Sequence, residues 1–355
     1  MNHHTPPLPQ IPSAAPRPVR HLSDVQRRVR TAGQLRTQGI ATAEANEQCR
    51  PGGPWQQLLP GVYLLHPGPP TSEERLHAVL MYAGRDTATP PPAVPAQPGS
   101  GSPHRPVYKE AMITGLAALN LHGISCAPPL MSLEHIDVLV HRLRRLRSTG
   151  CAHVVRTGSL PTPEQATGVP VAPVPRALAD AVAQLTDAGV VRRLLSEAVR
   201  GGHCEPAAVV RELNSAKLLS RPHVVDAVDS LLAEGRAIAE QRLYTMVCEY
   251  GLPDPVWNVD LRLPGGPHLG GLDAYWPEQA VALELDTRAP RQDEDALWSE
   301  YARKREHLER LGITVVYITP KKLRDAMEQQ AAVVRTALMA SGDRDPAAYV
   351  VVLPR

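Results

Sequence analysis

Residues 280–286 read Ala280-Val281-Ala282-Leu283-Glu284-Leu285-Asp286. Side chains alternate across a β-strand, so Val281, Leu283 and Leu285 share one face while Ala282, Glu284 and Asp286 share the other. Two carboxylates thus stand two residues apart on an otherwise apolar strand. Burying such charges without partners costs several kcal/mol per ion. Two sources of compensation fit the spacing. One is arginines at an exposed sheet edge. The other is a hard divalent cation, which accepts oxygen ligands and, for Mg²⁺, takes one or two carboxylates beside water and phosphate.

The neighbouring pattern sets this strand in an α/β domain spanning 235–340. A helix is expected over Arg236–Tyr250, ended by Gly251 and Pro253. Trp257, Val259, Leu261 and Leu263 alternate with Asn258, Asp260 and Arg262, which is strand periodicity. A turn at Pro264–Pro267 leads to a second strand, Leu272–Trp276, and then to the third, 280–286. A long helix over Glu294–Leu311, a strand over Ile313–Ile318 and a helix over Lys321–Met339 complete the unit. Asp273, one short turn from the third strand, and Glu240, on the leading helix, are placed to join the acidic group. On the long helix, Leu297, Tyr301, Lys304, Leu308 and Leu311 follow the spacing of one face. Lys304 interrupts that apolar stripe. Its ammonium either finds an acidic partner on the sheet or escapes to water on a packed stem.

These stretches resemble a known family. Glu240, YGLPDPVWNVDLRLPGG (250–266), GGLDAYWPEQAVALELD (270–286) and KREHLERLGITVVYIT (304–319) are similar, in order, to the Vsr-related PD-(D/E)XK endonuclease-like domain common in actinobacterial proteins. The resemblance covers about a hundred residues. It implies a restriction-endonuclease-like α/β fold, with Asp273, Glu284, Asp286, Lys304 and Glu240 as catalytic residues. Asp273, Glu284 and Asp286 would be the ligands of Mg²⁺ or Mn²⁺. In that family chemistry the ion lowers the pKa of a bound water and neutralises the scissile phosphate. Asp286 would orient that water, Lys304 would stabilise transition-state charge, and Glu240 would act as a ligand or through a second shell. The chain departs from the family pattern at Thr287, where Gly is usual, at Arg288-Ala289-Pro290-Arg291, where a His is expected, and at Tyr301, where Asp is usual.

The N-terminal half reads differently. Residues 1–19 are proline-rich and cannot bury enough apolar surface to order, and a second such segment covers 86–106. Between them, helical patterns over Val25–Gln38 (in two pieces) and Ala41–Arg50 precede two apolar segments, Trp55–Leu59 and Gly61–Leu65, joined by Pro60-Gly61. Three helices followed by a hairpin give the outline of a winged helix-turn-helix over 20–67. A middle α/β region is expected over 68–160, with helices at Ser72–Tyr82 and Ala111–Leu121, a buried strand at Ile136–Val140 and another starting at Val154. A helical connector follows over 161–234, and 341–355 reads as a tail.

The stretches TAGQLRTQGIATAEANEQCRPGGPWQQLLPGVYLL (31–65), PTSEERLHAVLMYAG (70–84) and AMITGLAALNLHGI (111–124) resemble the AbiEi-type antitoxin N-terminal region. That resemblance implies DNA binding and a cognate toxin protein as a second partner. The fused pair implies either a DNA endonuclease or a regulator that binds DNA without cleaving it.

Charge is consistent with either. The net charge of the 355 residues is only +2, so nucleic-acid contact must come from local patches. Arg27, Arg28 and Arg30, with Arg17, Arg20 and Arg36, form one patch; Arg142, Arg144, Arg145 and Arg147 form a second, and Arg303-Lys304-Arg305 a third. Each is suited to phosphate contact without sequence reading, and each is also what a solvated basic face looks like. The third expected helix, in the recognition position, carries Glu44 and Glu47 against Arg50 alone. His122 and His141 have no ligand partner at a standard spacing and read as core or surface histidines.

The scattered cysteines, Cys49, Cys126, Cys151, Cys204 and Cys248, make no Cys-x-x-Cys pair, which argues against a disulfide framework or a zinc site. The N-terminal residues lack the apolar region of a signal peptide, and no stretch approaches the roughly 18 apolar residues of a membrane span. A cytoplasmic protein with no membrane partner and no small-molecule cofactor is expected. The excess of Arg over Lys and the lack of Phe point to a high-GC genome.

Overall fold

The structure, a computed structural model, describes residues 25–84, 108, 110–287, 294–340 and 349–355, and for 294–301 the backbone alone. The expected tail 1–19, the insertion 86–106, Arg17, Arg20, the segment 288–291 and the side chains of Leu297 and Tyr301 lie outside the described residues. The chain is mixed α/β and divides into two compact units, residues 1–123 with 128–173, and residues 124–127 with 174–355. The winged-helix and middle regions expected as separate domains therefore form one unit. Of the expected helical connector, residues 174–234 belong to the unit of the C-terminal sheet and 161–173 to the first unit.

In the first unit, β1 (Val29–Thr31) is followed by α1 (Ala32–Thr37), α2 (Thr42–Gln48) and the hairpin β2 (Gln56–Leu59) and β3 (Val62–Leu64). These strands form an antiparallel sheet of order β1-β3-β2. Residues 29–31 were expected to be helical and are instead a strand. A three-residue strand is too short to show alternation, and Thr31 at its end caps α1 in a capping box with Gln34. Leu35, Ala45 and Tyr63 are the buried centre of this small module.

The next helix, α3 (Ser72–Gly84), is buried on all sides from Leu76 to Ala83. Such a helix is interior rather than amphipathic. It packs on the small sheet and also on the second sheet, which explains why the two make one unit. That second sheet contains β4 (Met112–Ile113), β5 (Ile136–His141), β6 (Ala152–Thr157), β7 (Glu164–Ala166) and β8 (Val169–Val171), in the order β6-β5-β4-β8-β7. The helix expected over 111–121 is shorter, α4 (Gly115–Leu121), because Met112 and Ile113 pair with β5. Strands β7 and β8 occupy residues assigned to the connector.

In the second unit, α5 (Val174–Gln184), α6 (Ala188–Arg200), α7 (Pro206–Ser215) and α8 (Pro222–Glu249) precede β9 (Val256–Arg262), β10 (His268–Trp276) and β11 (Val281–Leu285). The boundary expected at 234/235 falls inside α8, which runs unbroken through it. Then come α9 (Glu294–Arg310), β12 (Thr314–Ile318), α10 (Pro320–Asp325), α11 (Met327–Ala340) and β13 (Val351–Pro354). The helix expected over 321–339 is thus two helices, parted at Ala326, whose φ of −150° and ψ of 45° leave the helical region. Sheet order is β12-β11-β10-β9-β13, with only β11 and β12 parallel.

Residues 351–354, expected as part of a tail, are the edge strand of this sheet. Val350 and Val352 pack on its core, which ties the C-terminal end down. One sheet face carries α8, α10 and α11 over a core that includes Leu243, Met246, Trp276, Leu283, Leu285 and Ile318. Leu308 of α9, with Leu272, Tyr275 and Ala282, forms the core of the other face. The alternation read in 281–285 is therefore the observed one. Among the described residues no helix is long and apolar enough to cross a membrane.

Candidate functional site

Strands β10 and β11 pair as Trp276 with Val281, Tyr275 with Ala282 and Ala274 with Leu283, and there the ladder stops. The next backbone donor, Leu285 N–H, is met by the Asp273 side chain, with Oδ2 accepting at 2.6 Å. Asp273 thus fills the opening between two parting strands. Its carboxylate is only 4% exposed, so it needs compensation. That comes from Arg236 of α8, whose Nη2 donates to Asp273 Oδ1 at 2.6 Å while its Nε donates to Glu240 Oε1 at 2.8 Å. Arg236 and Glu240 are one helical turn apart, so their pairing pre-sets the guanidinium toward the fork.

Glu284 is neutralised separately. Its Oε2 accepts from Lys304 Nζ at 2.8 Å, and Nζ also donates to Gly271 O at 2.8 Å. Lys304 therefore takes the acidic partner that its place in the α9 stripe calls for. The path exists because residue 270 is glycine. Its φ is +115°, and a Cβ there would stand 2.8 Å from Lys304 Cε. Asp286 follows the end of β11, half-buried, and its N–H extends the pairing with β12 by donating to Ile318 O at 2.9 Å.

The fork thus holds Asp273, Glu240, Glu284 and Lys304 in two ion-paired sets. One ion shared by Asp273, Glu284 and Asp286 would have to displace these ion pairs. Both Asp273 oxygens are engaged, and Glu284 binds an ammonium. Among the described residues no group of three or more His, Cys, Asp or Glu side chains is placed to hold a metal ion. The donor set does not fit Mg²⁺ or Mn²⁺ unless Arg236 leaves.

Of the basic patches, Arg27 and Arg28 are exposed, with Arg28 Nη1 at 3.8 Å from the buried Glu74. Arg30 is half-buried. Its charge adds to the burial that, as the larger effect, holds His77 down at about 4. In the second run Arg142 and Arg145 are exposed, whereas Arg144 Nη2 donates to Ala83 O at 2.5 Å and anchors α3. Arg303 is exposed on α9, and Arg305 beside it pairs with Glu309 at 2.7 Å. On α2, Glu44 and Glu47 are exposed, and Arg50 is held by Glu47 at 2.5 Å. His122 Nε2 lies 2.8 Å from Ala172 O and His141 Nε2 lies 3.1 Å from Gly158 O, so both histidines serve the second sheet.

The residue that sequence reasoning missed is Arg236. The signal available was its i, i+4 spacing to Glu240. Its reach to Asp273 depends on how α8 docks, which no local pattern states. In comparisons with known proteins, no family model matches the chain and no curated protein is significantly similar to it.

Proposed function

We propose that the chain is a DNA-binding regulator that holds nucleic acid through its N-terminal module and does not cleave it. The observation that carries this reading is the order β1-α1-α2-β2-β3 with the sheet arranged β1-β3-β2. This order supports reading the module as a winged helix-turn-helix, in which α2 would lie in the recognition position. Arg27, Arg28 and Arg36 supply exposed cations for phosphates. The acidic face of α2 is unsuited to reading guanine edges, so affinity rests on backbone contacts more than on base contacts. A cognate toxin protein as second partner belongs to the same reading. The C-terminal unit supports the non-cleaving part. Arg236 pairs with Asp273, the carboxylate that a metal-dependent reading would need.

The test is anisotropy of a labelled duplex with the full chain across a range of salt. Replacing Arg27 and Arg28 by Glu is expected to lower the log–log salt slope by about 2, at about 0.9 per phosphate lost. No binding by the unaltered protein at low salt overturns the proposal.

A second reading, a Mg²⁺- or Mn²⁺-dependent endonuclease, draws on one observation, the contact of Lys304 with Glu284 beside the strand that carries Asp273. It requires the Arg236–Asp273 pair to open first.

A further inference from the structure

Helices α6 and α8 of the second unit leave a cleft of about 770 Å³ between them. Arg192 and Arg200, eight residues apart on α6, line one wall, and Ala237, Ile238, Gln241 and Arg242 of α8 line the other. The one carboxylate in the cleft, Glu234, is taken by Arg200. Arg192 and Arg242 make no hydrogen bond or ion pair among the described residues. Arg242 lends only a longer-range field to Asp325, which Arg324 already holds at 2.8 Å. The cleft therefore presents two uncommitted guanidiniums over an apolar floor.

The same face of α8 continues past the cleft. Ala237, Gln241 and Tyr244 follow i, i+4, i+7, so at about 1.5 Å per residue Tyr244 sits about 10 Å along the helix from Ala237 and about 4.5 Å beyond Gln241. Tyr244 is 37% exposed and stacks on Trp257 of β9, with ring centroids 4.0 Å apart and planes inclined by 39°. Packing against Trp257 fixes the tyrosine ring and leaves part of it open to a visitor. A cationic groove leading to a braced, exposed aromatic is the combination that holds a single strand, with phosphates in the groove and bases on the ring.

We propose that the α6–α8 cleft with Tyr244 is a binding surface for single-stranded nucleic acid. Phosphodiester oxygens meet Arg192 and Arg242, and an unpaired base stacks on Tyr244. A paired base cannot offer its face to Tyr244, which sets this surface apart from duplex binding at the N-terminal module. The surface is independent of that reading, and the two fail separately.

The test uses the full chain and a labelled oligothymidylate of roughly twelve nucleotides, within the site sizes of single-strand binders. Tyr244→Ala is expected to weaken binding about five- to a hundredfold, as loss of one stacked base does, while Tyr244→Phe retains it. Arg192→Glu is expected to flatten the salt slope by about 0.7, the value for one phosphate on a single strand. The Arg27→Glu/Arg28→Glu variant keeps oligothymidylate affinity. The proposal is overturned if the unaltered chain does not bind the oligonucleotide, or if Tyr244→Ala binds as tightly while retaining its circular dichroism spectrum. Equal loss in the Arg27/Arg28 variant also overturns it. So does more efficient displacement by polyglutamate than by unlabelled oligonucleotide, which would make the cleft a docking site for an acidic peptide.

Discussion

Replacing the two partners at the β10–β11 fork in turn separates the roles given to the Asp273 carboxylate. Asp273→Ala deletes the acceptor of a buried N–H, that of Leu285, and an orphaned buried donor costs about 1–3 kcal/mol. It also deletes a charge-assisted bond to Arg236. That guanidinium is 40% exposed and keeps Glu240, so this part is discounted to about 1 kcal/mol. The total is about 3 kcal/mol. Asp273→Asn retains an oxygen for Leu285 N–H and loses the charge, costing about 1 kcal/mol. Arg236→Met strands a buried carboxylate. The loss of about 3–5 kcal/mol expected for a fully buried pair falls to about 2, because solvent reaches the arginine side.

The expected order of stability is therefore unaltered protein, then Asp273→Asn, then Arg236→Met, then Asp273→Ala. Urea unfolding read by fluorescence of Trp276, fully buried in the same core, measures it, and the two units are fitted as separate transitions. Equal losses for Asp273→Asn and Asp273→Ala would show that Leu285 N–H does not depend on the carboxylate. A neutral Arg236→Met would show that the guanidinium is not the compensating charge.

Gly270→Ala forces an L side chain to a φ of +115° and pushes on Lys304, for a loss of about 1–3 kcal/mol. In a Lys304→Ala background the steric part of that loss is removed, which a double-mutant cycle by urea unfolding measures. His77 is held at about 4, below its ordinary 6.5, so the unfolded chain binds its proton first. Its contribution is complete above pH 6.5, fades as pH falls toward 4, and amounts to roughly 3 kcal/mol in all. His77→Gln flattens the stability–pH curve in that window, and an unchanged slope refutes the assignment. Glu197 accepts from Ser125 N–H at 2.5 Å and Cys126 N–H at 2.9 Å. Burial pushes its carboxyl up, but these bonds outweigh it and hold the group at about 2. Its contribution is present above pH 4.5 and lost toward pH 2, so Glu197→Gln removes an acid-side loss in thermal melts.

Much of the C-terminal sheet was legible because its strands are long enough to alternate. Val259, Leu261, Val281, Leu283 and Leu285 show their period, and Lys304 shows itself by breaking an apolar helical stripe. The shorter strands were not legible. Val29–Thr31 and Met112–Ile113 have too few residues to display a period, and pairing with a distant partner decides them. Strand β13 was missed for a related reason, since its place beside β9 is set by tertiary packing. At the site, the carboxylates were read correctly as charges in need of compensation. What compensates Asp273 is an arginine from a helix 37 residues away in sequence, and that pairing depends on docking rather than spacing.

Incubating supercoiled plasmid with the full chain and Mn²⁺, and reading both mobility shift and nicking, tests most directly whether the arginine-held fork is silent. The account predicts a salt-sensitive shift of intact plasmid, with no Mn²⁺-dependent nicking above that of Glu284→Gln. Nicking by the unaltered chain that vanishes in Glu284→Gln and in Asp273→Asn would contradict it, and would place a divalent ion where Arg236 now sits.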